Sequence, residues 1–176
     1  RVVVLGAGYA GCVAVQTLER ALDDAELTWV SEFDHHLVLH EVHRAIRDPS
    51  VREKITVPVG AIKGPRTTYR EGRVVDLDAE TRRIQLAGGD AIDYDYAVVA
   101  LGSDTSFYGI PGLAERALTL KNADDALAIN ESVEAAAAAQ ESESVAACLR
   151  ALLAPDTCDR ALADLPVDEP TRAMLE

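Results

Sequence analysis

Six residues near the start of the chain, Gly6-Ala7-Gly8-Tyr9-Ala10-Gly11, form the pattern G-x-G-x-x-G. An apolar run, Val2-Val3-Val4-Leu5, precedes it, and a stretch with helical periodicity follows. In that setting each glycine has its own job. Gly6 permits a tight turn, Gly8 lets a diphosphate approach the backbone, and Gly11 allows the helix to pack closely on the strand. The helix start, with Tyr9 and Ala10 in its first turn, then presents unpaired N–H groups and a partial positive charge. The chemistry implied is the binding of a dinucleotide through its diphosphate. Glu32 lies 21 residues past Gly11, at the end of a second apolar run, Leu27 to Val30. A carboxylate there can accept bonds from the adenosine ribose hydroxyls. Strand, motif, amphipathic helix, strand and acid in series favour this reading over a glycine-rich structural turn.

Other chemistry-bearing residues give weaker signals. His35, His36, His40 and His43 fall within nine residues. On a helix, His36, His40 and His43 would share a face, a spacing able to bind a transition metal. The zinc-protease pattern is not met, because Arg44 stands where the second histidine belongs. A structural role is favoured, with Asp34 and Glu41 pairing with the imidazoles; contact with a cofactor is the next alternative. Cys12, Cys148 and Cys158 include no C-x-x-C pair. Cys12 sits in the first helical turn, where the helix start would lower its pKa. It is nonetheless off the apolar stripe and has no nearby second cysteine, so redox work is disfavoured. Cys148 and Cys158 are expected to pack in helices. Asp23-Asp24 and Asp124-Asp125 lie at expected helix ends and read as solvated faces. Tyr94 and Tyr96 read as strand-edge residues.

The elements that must position these residues follow from patterning. Ala10, Val13, Ala14, Thr17, Leu18, Ala21 and Leu22 form a helical stripe between the first two strands. Residues 35–47 are expected to be a helix or a helical loop, and 54–59 extended. Residues 67–94 predict an antiparallel meander, with alternation at Val75-Asp76-Leu77-Asp78 and Ile84-Gln85-Leu86 and turn residues between. Tyr96 to Leu101 is again unbroken and apolar, a buried parallel strand ending at Gly102. Ile110-Pro111-Gly112 is a loop. Helix formers fill 124–140 and 145–153, with shorter helices expected at 157–164 and 168–176. The predicted class is α/β: a Rossmann-like parallel sheet with an inserted antiparallel meander and a helical C-terminal region. The expected domains are 1–121, dinucleotide-binding, and 122–176, mostly helical.

A chain of 176 residues is one domain, or one domain with a helical appendage. Its formal net charge of −13 argues against nucleic acid as a partner and against docking on anionic lipid. Lysine is limited to Lys54, Lys63 and Lys121. Such an acidic, lysine-poor surface suits a halophilic protein, since repulsion is screened over roughly 3 Å at 1 M salt. No run of apolar residues is long enough for a transmembrane segment. The chain opens directly on a strand, which predicts no secretory leader, and the absence of an initiator Met suggests residues ahead of Arg1. A reduced, cytoplasmic protein is expected, with a peripheral position at the membrane also compatible.

In Val2–Gly11, Leu27–Leu37, Arg73–Asp78 and Tyr94–Gly112, with Ala117–Ala128 after them, the chain resembles a known family. This is the N-terminal FAD-binding portion of pyridine nucleotide-disulfide oxidoreductase-type flavoproteins, above all type II NADH dehydrogenases and NADH oxidase-like proteins. The resemblance covers residues 1 to about 130. It implies FAD as cofactor, NAD(P)H as substrate, and electrons passed through the flavin to quinone or another acceptor. Carried over by position, Gly6, Gly8, Tyr9, Ala10 and Gly11 would hold the FAD diphosphate. Ser31 or Glu32 would hold the adenosine ribose, and Val74 would meet the adenine through its backbone. Ala100-Leu101-Gly102 takes the place of the family's Ala-Thr-Gly turn beside the cofactor. The sequence departs from the family in having Ser31 where the acid usually stands and Leu101 in place of Thr. The second glycine motif, due after about residue 140, is missing, as are the later Gly-Asp segment and the paired redox cysteines. The chain is then a fragment or shortened, or has lost hydride transfer. No side chain is assigned as catalytic acid or base. Two other readings remain: a non-catalytic dinucleotide-binding module, and a helical interaction protein with a vestigial Rossmann half. The sequence leaves the acceptor, the choice of NADH or NADPH, and assembly into a homo-oligomer open.

Overall fold

The structure, a computed structural model, describes residues 1–139. The helices expected at 145–153, 157–164 and 168–176, with Cys148 and Cys158, lie outside the described residues. The chain forms β1 (Val2–Leu5), α1 (Tyr9–Ala21), β2 (Leu27–Ser31) and β3 (His35–Leu37). It continues through α2 (Arg44–Arg47), β4 (Thr56–Pro58), α3 (Val59–Ile62) and β5 (Thr67–Glu71). Then come β6 (Val74–Asp78), β7 (Arg83–Leu86), β8 (Ala91–Asp93), β9 (Tyr96–Val99), α4 (Leu113–Arg116) and α5 (Ala123–Ala139). The described residues form two compact units: residues 1–42 with 52–117, and residues 43–51 with 118–139.

In the first unit, β5, β2, β1 and β9 lie side by side in that order, all parallel. β1 is buried along its whole length because both faces of the sheet are covered. On one face Val2, Val4, Leu27 and Trp29 pack with Val15 of α1 and Val59 of α3. On the other, Val3, Leu5 and Val30 pack with Ile84, Leu86, Ile92 and Tyr94 of the meander. The alternation of side chains along a strand makes this division automatic: even and odd positions of β1 serve opposite layers.

Four sequence expectations need correction. β9 is not a buried strand: it forms an edge of the parallel sheet, with Tyr96 and Val99 exposed. Residues 35–47 are not one helix. β3 pairs antiparallel with β4, His36 opposite Val57, and only a 3-10 turn at Leu39–Glu41 and the four-residue α2 follow. Long-range bonds override local propensity here: His36 reaches the Ala7 carbonyl at 2.8 Å, and the Val38 N–H donates to Ile55 at 2.8 Å. The meander is shorter than 67–94, comprising only β6, β7 and β8. Residues 67–71 join the parallel sheet instead, where Thr67 is buried beside Leu27. The stripe on α1 is also rotated. Gly11 and Val15 face the core, Ala14 and Leu18 lean on it, and Val13 is 63% exposed, with Val98 lining the shallow apolar groove alongside.

In the second unit, α5 starts from a well-satisfied cap. The Asn122 side-chain oxygen accepts from the Asp125 N–H at 2.8 Å, and the Asp125 carboxylate accepts from the Lys121 N–H at 2.7 Å. Asn130 donates to the Ile46 carbonyl at 2.8 Å, tying α5 to α2.

Candidate functional site

β1 ends in Gly6, whose φ of +100° only glycine adopts cheaply. A β-carbon at Gly6 would overlap the Ala100 carbonyl, and one at Gly11 would overlap the Gly6 carbonyl oxygen. A β-carbon at Gly8 would meet nothing within 4 Å. Two glycines are thus demanded by packing, and the third faces open space. Gly8 caps α1, and the first intrahelical bond runs from the Cys12 N–H to the Gly8 carbonyl at 3.0 Å. The N–H groups of Tyr9, Ala10 and Gly11 therefore have no acceptor within the helix. No acidic side chain occupies this first turn to neutralise its positive end.

The remaining expected site residues converge on the same end of the sheet. Ser31 closes β2, buried; its hydroxyl accepts from the Phe33 N–H at 3.3 Å and its carbonyl from the Gly72 N–H at 2.8 Å. Glu32 is half-exposed, with Arg73 Nη1 at 3.9 Å from its carboxylate. Val74 follows directly, at the start of β6. On the other side of β1, the Ala100 N–H donates to the Leu5 carbonyl at 2.9 Å, bringing Ala100 against Gly6. Leu101 is exposed, and Gly102 has φ +78°, again a glycine conformation. From β1 the chain builds outward through β2 to β5, then returns to place β9 on the opposite side of β1. The strand ends thus meet at a topological switch point, where open α/β sheets form their ligand crevice.

His36 and His40 sit beside the glycine loop, and the histidines do not share a helix face. His36 is buried against the Ala7 carbonyl, and the Tyr9 ring meets it edge-on at 4.8 Å. Tyr9 Oη and His40 Nδ1 are hydrogen-bonded at 2.7 Å, with Glu41 3.6 Å from the far ring nitrogen. His35 pairs with Asp34 at 2.9 Å, and His43 belongs to the second unit. Among the described residues no three His, Cys, Asp or Glu side chains come together to hold a metal. Cys12 also departs from expectation. It packs against the core, and burial pushes its thiol pKa up despite the helix start.

Sequence reasoning missed Trp29. Fully buried in β2, it donates its indole N–H to the Gly6 carbonyl at 2.9 Å. The signal was available, since a buried tryptophan needs an acceptor for its N–H.

No helix among the described residues is long and apolar enough to cross a membrane. A family model, pyridine nucleotide-disulphide oxidoreductase, matches residues 1–146. Among curated proteins, the type II NADH:quinone oxidoreductase of Staphylococcus aureus is 28% identical over 137 residues, 76% of this chain and 34% of the relative. That of Staphylococcus haemolyticus is 29% identical over the same length. The chain thus spans about a third of the length of the curated relatives it matches. Among solved structures, the sulfide:quinone oxidoreductase of Aquifex aeolicus aligns with a TM-score of 0.69 at 22% identity, covering 78% of this chain and 32% of that one. NDH2 from Plasmodium falciparum, in complex with NADH, aligns at 0.62 and 19%, covering 78% and 29%. These likenesses carry the fold, and the family match over 146 residues carries membership. With its glycine turn, strand order and inserted meander all in place, the chain belongs to the pyridine nucleotide-disulphide oxidoreductase family.

Proposed function

We propose that this chain is the FAD-binding portion of an NADH-dependent flavoprotein oxidoreductase that passes electrons to a quinone or another acceptor. One observation carries the reading: free helical N–H groups and the open side of Gly8 face the crevice at the switch point, and Glu32 stands at the end of the neighbouring strand. An anionic diphosphate fits this donor array even in a molecule of net charge −13. Gly8, Tyr9, Ala10 and Gly11 bind it; Gly6 shapes the turn. Glu32 takes the ribose in preference to Ser31, whose side chain is buried. Val74 meets the adenine through its backbone, and Ala100-Leu101-Gly102 borders the flavin end. When bound, FAD supplies the hydride and electron transfer, and the protein binds and orients it. The relatives' activity with NADH and quinone supports the substrate and the acceptor class. We place FAD binding in residues 1–121, in a cytoplasmic protein whose quinone acceptor would hold it peripherally at the membrane.

Flavin titration of the purified chain tests this. Wild type should take up FAD, and Gly8→Val, which meets no steric obstacle and loses only a preferred helix cap, should still fold yet fail to bind it. Equal affinity in the two proteins would remove the diphosphate contact. In the full-length gene product, bound flavin that NADH cannot bleach would point to a binding module without turnover.

A further inference from the structure

Two carbonyl oxygens of the glycine loop are held by aromatic rings from separate strands. The Gly6 oxygen lies under the crossing of α1 over β1, in the space a side chain at Gly11 would need. It accepts the Trp29 indole N–H at 2.9 Å. The next oxygen, of Ala7, lies 2.8 Å from Nδ1 of the buried His36. A carbonyl only accepts, so Nδ1 carries the proton whatever the charge of the ring. The Tyr9 ring braces His36 edge-on, and the Cys12 thiol reaches the same Ala7 oxygen from 3.5 Å, a weak sulfur donor.

In a planar trans peptide the C=O and the following N–H point in opposite directions. The Gly6 carbonyl shares its plane with the Ala7 N–H, and the Ala7 carbonyl with the Gly8 N–H. Holding both oxygens inward against the two rings therefore turns both N–H groups the other way. If these planes rotated, partially negative oxygens would replace donors beside a diphosphate.

We propose that Trp29 and His36 are positioning residues for the dinucleotide loop: their ring N–H groups fix the Gly6 and Ala7 carbonyls so that the Ala7 and Gly8 amides stay aimed at the FAD diphosphate. The proposal rests on the FAD-binding reading and deepens it. Neither ring touches the cofactor; each acts through the backbone.

The test is the affinity of the purified chain for FAD, with ADP and adenosine as competitors, in His36→Leu, His36→Asn and Trp29→Phe. An asparagine amide can stand where Nδ1 stood, whereas leucine fills space and donates nothing. His36→Leu should bind FAD and ADP about tenfold more weakly, with adenosine little changed, and His36→Asn should recover most of the loss. Trp29→Phe should show a loss like that of leucine; if it does not fold, the two His36 variants carry the test. Leucine and asparagine variants of equal affinity, whether both weak or both normal, would overturn the clamp, as would a parallel loss for adenosine. Those results leave the cofactor reading intact when wild type binds FAD. Wild type that binds none overturns both.

Discussion

The Gly6 carbonyl oxygen occupies the space that a β-carbon on Gly11 would fill, so β1 and α1 touch through bare backbone at this crossing. Gly11→Ala must push helix and strand apart, an overpacking that typically costs about 1–3 kcal/mol. It should lower the melting temperature and, by displacing the first turn of α1, abolish FAD uptake. Gly8→Ala, in open space with φ −73°, should cost only the small loss of a preferred helix-capping residue. Calorimetric melts of the two variants give the comparison, and similar losses in both would contradict the separate roles of these glycines.

Glu32 and Ser31 can be told apart by ligand choice. Glu32→Gln keeps the size of the side chain but removes the charge that accepts ribose hydroxyls, and should weaken FAD binding on the order of tenfold. FMN lacks the adenosine half, so its affinity should be unaffected. Ser31→Ala, with its hydroxyl turned to the Phe33 amide, should change FAD affinity little. An unaltered Glu32→Gln titration would move the ribose contact elsewhere.

Acid should loosen the joint between α1 and the loop before β5. The Glu19 carboxylate accepts from the Thr67 hydroxyl, from the Arg66 N–H at 2.8 Å and from the Gly64 N–H at 3.1 Å. Chiefly through Thr67, these bonds hold its pKa below the ordinary 4.5. Asp78 is lowered in the same direction by the side chain and amide of Thr81. Carboxyls depressed in the fold stabilise it above their unfolded pKa, and that stabilisation is lost as pH falls through the folded value. Melting temperature should therefore hold from neutrality to about pH 5 and decline below it. Glu19→Gln should melt lower at pH 7 and decline less steeply in acid; a variant with the same acid profile as wild type would show that the bonds contribute nothing.

Cys12 should behave as an inert thiol. Burial raises its pKa, so the thiolate that attacks alkylating reagents is scarce at pH 8. Iodoacetamide labelling followed by peptide mass spectrometry should find Cys12 slower in the native chain than in urea. Fast native labelling would restore the redox reading.

The strand, glycine turn and helix at the start were legible because their signals are local: an unbroken apolar run, spaced glycines, a periodic stripe. Thr67 to Glu71 shows where locality fails. A β-rich segment does not announce its partner, and only the sheet assigns it to Leu27–Ser31 rather than to the meander. His36 fails for the same reason, since its bond to Ala7 spans 29 residues and converts an expected helix into a strand. The stripe on α1 had the right period but the wrong phase, because the close approach at Gly11, not the larger Val13, sets which side meets the sheet. The residues expected to meet the cofactor fall at one end of the parallel sheet. The bonds of Trp29 and His36 to the glycine loop leave no mark in residue spacing, although a buried tryptophan signals its need for an acceptor.

Trp29 is the sole tryptophan of the chain, and its ring is bonded to the very turn that would receive the nucleotide. Indole emission overlaps flavin absorption, so a filled crevice should dim this one emitter by energy transfer. The molecule thereby carries a label-free optical gauge of its own occupancy, free of background from any other indole.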